Sequence, residues 1–263
     1  MSATAANIDE MPPDYWSHSR SPLSSFLFLI PLLLVYEIGV VMMGGENGEA
    51  LRNGADYWMR GWLETAGVPF TFVLPFLVTT GLLVWHIYGK HTWRVSTETF
   101  VGMLAESLLF ALCLVVLGQV QDLAFQRYLP ASMSAPSISA VLGQSELLMI
   151  ADSSTAGRII SFIGAGVYEE VLFRLCLLPI CFLVFRVCFI PKRWAAFLAI
   201  FVTSLAFSVA HYLGPMADQF SLFSFSFRLI AGLFFSTLFM LRGFGITVGC
   251  HAAYDLLVGI LFV

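Results

Sequence analysis

Long apolar runs constrain the fold of this chain more than any other feature of its sequence. A helix needs about 20 mostly apolar residues to cross a bilayer core about 30 Å thick. By this criterion there are seven candidate spans, at residues 22–43, 68–88, 99–118, 157–189, 194–213, 222–241 and 244–262. We therefore expect an all-α protein, a polytopic transmembrane helical bundle of about seven spans.

The fourth run is too long for one simple crossing. It contains Pro179, which lacks a backbone donor and can kink or break a helix. The run can therefore be a span followed by an interfacial segment, so between six and eight crossings are compatible with the sequence.

The composition excludes several classes of protein. Hydrophobic residues make up 59% of the chain and charged residues only 11%, whereas soluble domains carry about 25% charged residues. A soluble enzyme and a disordered chain are therefore excluded. The 13 basic and 17 acidic residues leave a net charge of −4, which provides no basic field for nucleic acid. We expect an integral, multi-pass membrane protein surrounded by lipid, with no nucleic-acid partner.

The order of apolar and polar segments divides the chain into four parts. They are an N-terminal tail (1–21), three scaffold helices (22–118), a polar connecting loop (119–156) and a helical domain that carries the chemistry (157–263). Lys and Arg near span ends are retained mainly on the cytoplasmic side, and a cytoplasmic N-terminus places more of them inside, in shorter segments. We predict that orientation, in the cell (plasma) membrane.

Ionisable side chains within apolar runs need an explanation, because a charge at mid-bilayer costs at least about 2.5–3.5 kcal/mol. Most of them lie in the second half of the chain. They are Glu169, Glu170 and Arg174 in the fourth run, His211 near the end of the fifth, His251 and Asp255 in the seventh, and the isolated Glu37 and Glu106.

Helical spacing separates the two adjacent glutamates by role. Positions i and i+4 share a helix face, so Glu170 can reach Arg174 and form a buried ion pair. Glu169 has no such partner. A buried carboxylate without a local counter-charge binds its proton more tightly, which suits it to act as a general base near neutral pH.

The two histidines allow two kinds of chemistry. His251 and Asp255 are spaced i, i+4, so the carboxylate can accept a hydrogen bond and fix the imidazole tautomer. Glu169 and His211 could activate a water, with His251 stabilising the oxyanion. Alternatively, Glu169, His211 and His251 could bind zinc, with water as the fourth ligand. No HExxH motif is present, and the spacing does not select between these alternatives.

We expect Glu169, His211, His251 and Asp255 to face a common interior pocket, but simple span geometry conflicts with this expectation unless the span limits are wrong or the helices are broken or tilted. Since a helix rises by about 1.5 Å per residue, His211 lies near the outer end of its span and His251 nearer the inner end of its own. The two histidines are then about 10–15 Å apart.

Three motifs in the second half nevertheless occur in a recognisable order. Residues 169–174 match EExxxR, residues 207–211 match FxxxH, and residues 251–255 match HxxxN/D. Together, on apolar segments, they resemble the CPBP family of CAAX proteases and bacteriocin-processing enzymes, also called Abi proteins. The resemblance covers about residues 157–260.

The resemblance implies an all-helical intramembrane endopeptidase that requires no cofactor, with zinc as the alternative. It assigns water activation to Glu169 and His211 and oxyanion stabilisation to His251 and Asp255. The position of Asp255 is generally Asn in the CAAX-protease branch. An Asn amide can donate to an oxyanion, but an ionised Asp only accepts, so orienting His251 or ligating a metal fits Asp255 better.

We therefore predict an endopeptidase that acts on membrane-associated or lipidated proteins or peptides. One alternative is a non-catalytic immunity or scaffold protein that keeps the polar residues as a structural network. Another is a proton-relay transporter, although the sequence lacks the corresponding halves typical of transporters. The sequence does not specify an oligomeric state.

Overall fold

The computed structural model describes residues 15–43, 51–68, 71–128, 155–214 and 217–261, and over these ranges the chain is a bundle of helices without strands. The predicted all-α fold is confirmed. In chain order the helices are α1 (Tyr15–Ser19), α2 (Pro22–Met43), α3 (Gly54–Thr65), α4 (Val73–Tyr88), α5 (Thr97–Tyr128), α6 (Thr155–Glu170), α7 (Leu178–Val187), α8 (Lys192–Ala210), α9 (Leu222–Arg242) and α10 (Phe244–Leu256).

Four of these helices, α2, α5, α8 and α9, are long and apolar enough to cross a membrane. Two shorter apolar helices accompany them, at Val73–Tyr88 and Phe244–Ile260. The helices form an integral membrane bundle, and the count of seven crossings stays a prediction.

The fourth apolar run does not break at its proline. A π-helical segment, Val171–Leu177, joins α6 to α7, and Pro179 lies in the first turn of α7. A missing N–H is tolerated in a first turn, because that group has no partner within the helix. The backbone irregularity therefore falls before the proline, directly after Glu170.

Two boundaries and one additional helix differ from the sequence prediction. Helix α5 continues to Tyr128, so the predicted loop at 119–156 begins as helix. Part of the predicted tail, Tyr15–Ser19, is also helical, while residues 1–14 and 129–154 lie outside the described residues. Helix α3 was not predicted, because its apolar residues are interspersed with charged ones.

Helix α10 lies at the centre of the bundle, in contact with α2, α5, α6 and α9. Every residue from Phe244 to Ala252 is buried. Its side chains divide by helical period between two hydrophobic clusters. Phe244 and Val248 belong to a cluster with residues of α2, α3, α4 and α6, whereas Ile246, Cys250 and Tyr254 belong to one with residues of α2, α5, α6 and α9. This short, mostly apolar helix is therefore covered mainly by other helices.

Two glycines allow close approaches of backbones around α10. A Cβ atom at Gly166 in α6 would lie 2.6 Å from the backbone nitrogen of Ala252. Gly243, between α9 and α10, has φ +84°, and a Cβ atom there would lie 3.1 Å from the Cα of Arg20. The first glycine lets α6 and α10 touch through their backbones, and the second permits the tight turn before α10.

We expect Gly166→Ala to destabilise the protein by about 1–3 kcal/mol, because the added methyl group would force two backbones apart. Gly81→Ala is the matched control, since a Cβ atom at this position of α4 meets nothing within 4 Å. The measurement is the thermal unfolding midpoint of each purified variant in detergent. Equal midpoints for the two variants would contradict the close approach of α6 and α10.

Candidate active site

The motif side chains converge on one carboxylate oxygen. Oε2 of Glu169 lies 3.9 Å from Nε2 of His211 and 3.9 Å from Nε2 of His251. Oδ2 of Asp255 lies 3.5 Å from the same nitrogen of His251. Three separate stretches of sequence thus place four ionisable side chains around one point.

The expected convergence of the two histidines is observed, because a nitrogen of each ring lies 3.9 Å from the same oxygen, and the separation of about 10–15 Å that simple span geometry implies is wrong. The chain turns back between Val187 and Lys192. Glu169 lies about as far before this turn as His211 lies after it. The two residues are consequently at similar depth. The imidazole of His211 also turns back along α8, with Nδ1 2.8 Å from the carbonyl oxygen of Phe207.

Glu170 pairs with two cationic or polar partners at once. Its Oε1 lies 3.1 Å from Nη1 of Arg174, which forms the predicted ion pair. The same oxygen lies 2.7 Å from Nδ1 of His251. The sequence had assigned the orientation of His251 to Asp255, but the structure assigns this hydrogen bond to Glu170, because α6 and α10 touch at this level.

Hydrogen bonding also determines which nitrogen each imidazole presents to Glu169. A carbonyl oxygen only accepts, so Nδ1 of His211 donates to Phe207 and Nε2 faces Glu169. A carboxylate likewise accepts, so Nδ1 of His251 donates to Glu170 and its Nε2 faces Glu169. Both histidines therefore direct their Nε2 atoms into the same space.

Exposure distinguishes two groups among the motif residues. The side chains of Glu169, His211 and Asp255 are 13%, 19% and 14% exposed. Those of Glu170 and Arg174 are 0% and 1% exposed. The first group is within reach of a small molecule such as water, and the second is part of the packed interior.

Two phenylalanines form an aromatic wall beside the histidines. The ring of Phe235 stacks on His251 with centroids 4.5 Å apart, and the ring of Phe207 lies 5.0 Å from His211. The guanidinium of Arg174 lies 4.5 Å from the ring centroid of Phe207 and 5.3 Å from that of Phe235, a cation–π arrangement. The FxxxH motif contains Phe207, but no sequence signal marks Phe235 among the many Phe residues of α9.

An ion pair missed by sequence reasoning holds the segment after His211. The carboxylate of Asp218 lies 2.5 Å from Nη2 of Arg228 on α9, and its backbone N–H donates to the carbonyl of His211 at 2.9 Å. Arg228 lies within the predicted span 222–241 and is buried in α9. The opposite charges at 218 and 228, flanking the start of an apolar run, were the available signal.

The donor set does not fit zinc as it stands. Donor atoms around a tetrahedral zinc lie about 3.4 Å apart, whereas Oε2 of Glu169 is 3.9 Å from each histidine nitrogen. Among the described residues, no group of three or more His, Cys, Asp or Glu side chains is arranged to hold a metal ion. We therefore derive no chemical step through a metal.

Residues 152–257 match the family model described as Type II CAAX prenyl endopeptidase Rce1-like. This range contains Glu169, His211, His251 and Asp255, so the match and the converging side chains occupy the same part of the chain. No curated protein and no solved structure matches the chain significantly. The resemblance predicted from the three motifs is confirmed, and it supports CAAX-type intramembrane protease activity in general.

We expect Glu170→Gln to reduce the stability of the fold by about 3–5 kcal/mol, because it leaves the buried guanidinium of Arg174 without its counter-charge. Glu106→Gln is the control. Glu106 also pairs with a buried arginine, Arg242, but the side chain of Glu106 is 22% exposed. The thermal unfolding midpoint should fall further for Glu170→Gln. A drop no larger than that of the control would contradict the role of the Glu170–Arg174 pair.

Proposed function

We propose that this protein is an intramembrane endopeptidase that cleaves membrane-associated or lipidated protein substrates with a water activated by Glu169 and His211. One observation carries the proposal: a carboxylate oxygen and an imidazole nitrogen, both proton acceptors, face each other at 3.9 Å in a partly exposed site. A water about 2.8 Å from each atom satisfies both distances.

Such a water would donate one hydrogen to Glu169 and the other to Nε2 of His211. Its oxygen lone pair is then free to attack the carbonyl carbon of a peptide bond. As the new C–O bond forms, Glu169 takes a proton from the water as general base. When the C–N bond breaks, the same carboxyl group returns the proton to the departing amine nitrogen, so the carboxylate is regenerated.

His251 is the proposed donor to the oxyanion. Since Nδ1 already donates to Glu170, Nε2 can donate only when the ring is the doubly protonated imidazolium. Carboxylate oxygens of Glu169, Glu170 and Asp255 lie 3.9, 2.7 and 3.5 Å from its nitrogens and favour its positive charge. A cation at this position stabilises the negative charge that develops on the substrate oxygen.

Asp255 then acts through His251. An ionised carboxylate cannot donate to an oxyanion, and Oδ2 lies 3.5 Å from the imidazole nitrogen. We propose that Asp255 stabilises the imidazolium electrostatically. An Asn at this position, as the resemblance implies for the CAAX-protease branch, would instead supply an amide donor.

The substrate class is proposed from the family description and from the surroundings of the site. The matched family is described as prenyl endopeptidases, and the site lies among apolar helices that carry many exposed hydrophobic side chains. A substrate with a lipid anchor would hold its peptide at the membrane, where the site is. We propose lipid-anchored protein chains as the substrates, at the cell membrane, with the N-terminus of the enzyme in the cytoplasm.

Glu169→Gln should reduce peptide cleavage by at least about 10²-fold, because Gln keeps the shape of Glu but cannot take a proton. The unfolding midpoint should stay near that of the wild-type protein. The assay is cleavage of a lipidated peptide by purified protein, with Glu64→Gln, an exposed change on α3, as control. Undiminished cleavage would refute the mechanism, and absence of cleavage by the wild type would favour the scaffold alternative.

Metal dependence is tested separately. We expect cleavage to persist after treatment with a strong chelator, and elemental analysis of active protein purified without added metal to find no stoichiometric zinc, because the proposed step uses only Glu169 and His211. Chelator-sensitive activity restored by zinc, with one zinc per chain, would instead make Glu169, His211 and His251 metal ligands.

A further inference from the structure

We infer that Tyr168 and Glu37 form a positioning pair that sets the rotation of α6 and thereby the placement of Glu169. This inference rests on the proposed role of Glu169 as the base. It gives a role to Glu37, for which the sequence showed no partner. It also gives a role to the helices that precede the matched family region, since they hold Glu37 in place.

Glu37 belongs to a buried charge network, defined here as the side chains that join α2, α3 and α6. The hydroxyl of Tyr168 donates to Oε1 of Glu37, and Nη2 of Arg60 lies 2.8 Å from the same oxygen. Nε of Arg60 continues to Asp56 at 2.6 Å. The members of the network are Tyr36, Glu37, Arg52, Asp56, Arg60 and Tyr168.

Among the described residues, the network contains two carboxylates and two guanidinium groups and is mostly buried. Asp56 and Tyr168 are 0% exposed and Glu37 is 6% exposed. Asp56 accepts from Tyr36 and from Arg52, each at 2.8 Å. A buried network with its charges paired is rigid, because displacing one member leaves another unpaired in a low-dielectric interior. It can therefore serve as a fixed reference for α6.

The rotation of α6 at its C-terminal end determines where the side chain of Glu169 lies. Tyr168 and Glu169 are adjacent, so their side chains point about 100° apart around the helix axis. Directly after Glu170 the backbone widens into the π-helical segment, so the regular α-helical ladder does not continue beyond the site. On one side α6 is held by Glu170 through Arg174 and His251, and on the other by Tyr168 through Glu37.

A small rotation of α6 would be costly for catalysis. A carboxylate about 6 Å from the helix axis moves about 2 Å when the helix rotates by about 20°. Misplacement of a catalytic group by about 1 Å can cost about 10²-fold in rate. The hydrogen bond of Tyr168 can therefore affect the rate constant without touching the substrate.

The chain offers a matched pair of variants that tests this inference. Tyr168→Phe and Tyr36→Phe each remove one buried hydroxyl that donates to a carboxylate of the same network. The two rings are in edge-to-face contact, with centroids 5.3 Å apart. Only Tyr168 is next to Glu169, so a general weakening of the network and a loss of positioning give different results.

We expect Tyr168→Phe to lower kcat about tenfold with KM nearly unchanged, and Tyr36→Phe to leave both within about twofold of the wild type. The unfolding midpoints of the two variants should fall by similar amounts. Equal kcat values for the two variants would overturn the inference. The proposed function is judged independently on Glu169→Gln: if that variant still cleaves, the mechanism fails whatever Tyr168→Phe shows.

A second measurement does not depend on activity or purification. In a chain whose five native cysteines are replaced, the substitutions Glu169→Cys and His211→Cys provide two thiols that a short bifunctional reagent can link in native membranes. Adding Tyr168→Phe should lower the crosslinking yield several-fold, because the residue at 169 turns away from α8, whereas adding Tyr36→Phe should not. Equal yields in the two backgrounds would overturn the inference.

Discussion

The rest of the site depends on one buried carboxylate, that of Glu170. Its Oε1 meets the guanidinium of Arg174 and the imidazole of His251, so it joins the π-helical segment to α10. A charge in this interior is tolerable only when paired, and the pairing determines which nitrogen of His251 faces Glu169. The adjacent residue, Glu169, is therefore left to face the exposed side of the site.

The helices that carry the chemistry need the other helices to hold them. Helix α10 is short and mostly apolar, and it is covered by α2, α5, α6 and α9. Its contact with α6 is close because Gly166 has no side chain to separate the backbones. The buried charge network of α2 and α3 contacts the opposite face of α6 through Tyr168. Helices of the first half of the chain therefore pack around the matched family region and hold its helices in position.

Local periodicity was a reliable guide only within one helix. The i, i+4 spacing predicted the Glu170–Arg174 pair correctly, and it distinguished Glu169 from its neighbour. The same rule suggested that Asp255 orients His251, but a residue from another helix takes that position. Phe235 and the Tyr168–Glu37 hydrogen bond were missed because their partners are far away in sequence. The distance between His211 and His251 was misjudged because span limits do not give the relative depth and tilt of packed helices.

The sequence alone determined the membrane environment, the helical class and the order of the three motifs, because apolar length and helical spacing are properties of consecutive residues. The tertiary structure decided which side chains meet. Contacts between α6, α8 and α10 depend on helix depth, rotation and close approach. These are set by packing between segments that are distant in sequence, as with Glu170 and His251. The convergence of Glu169, His211 and His251 is therefore a product of the fold, although each residue is visible in the sequence.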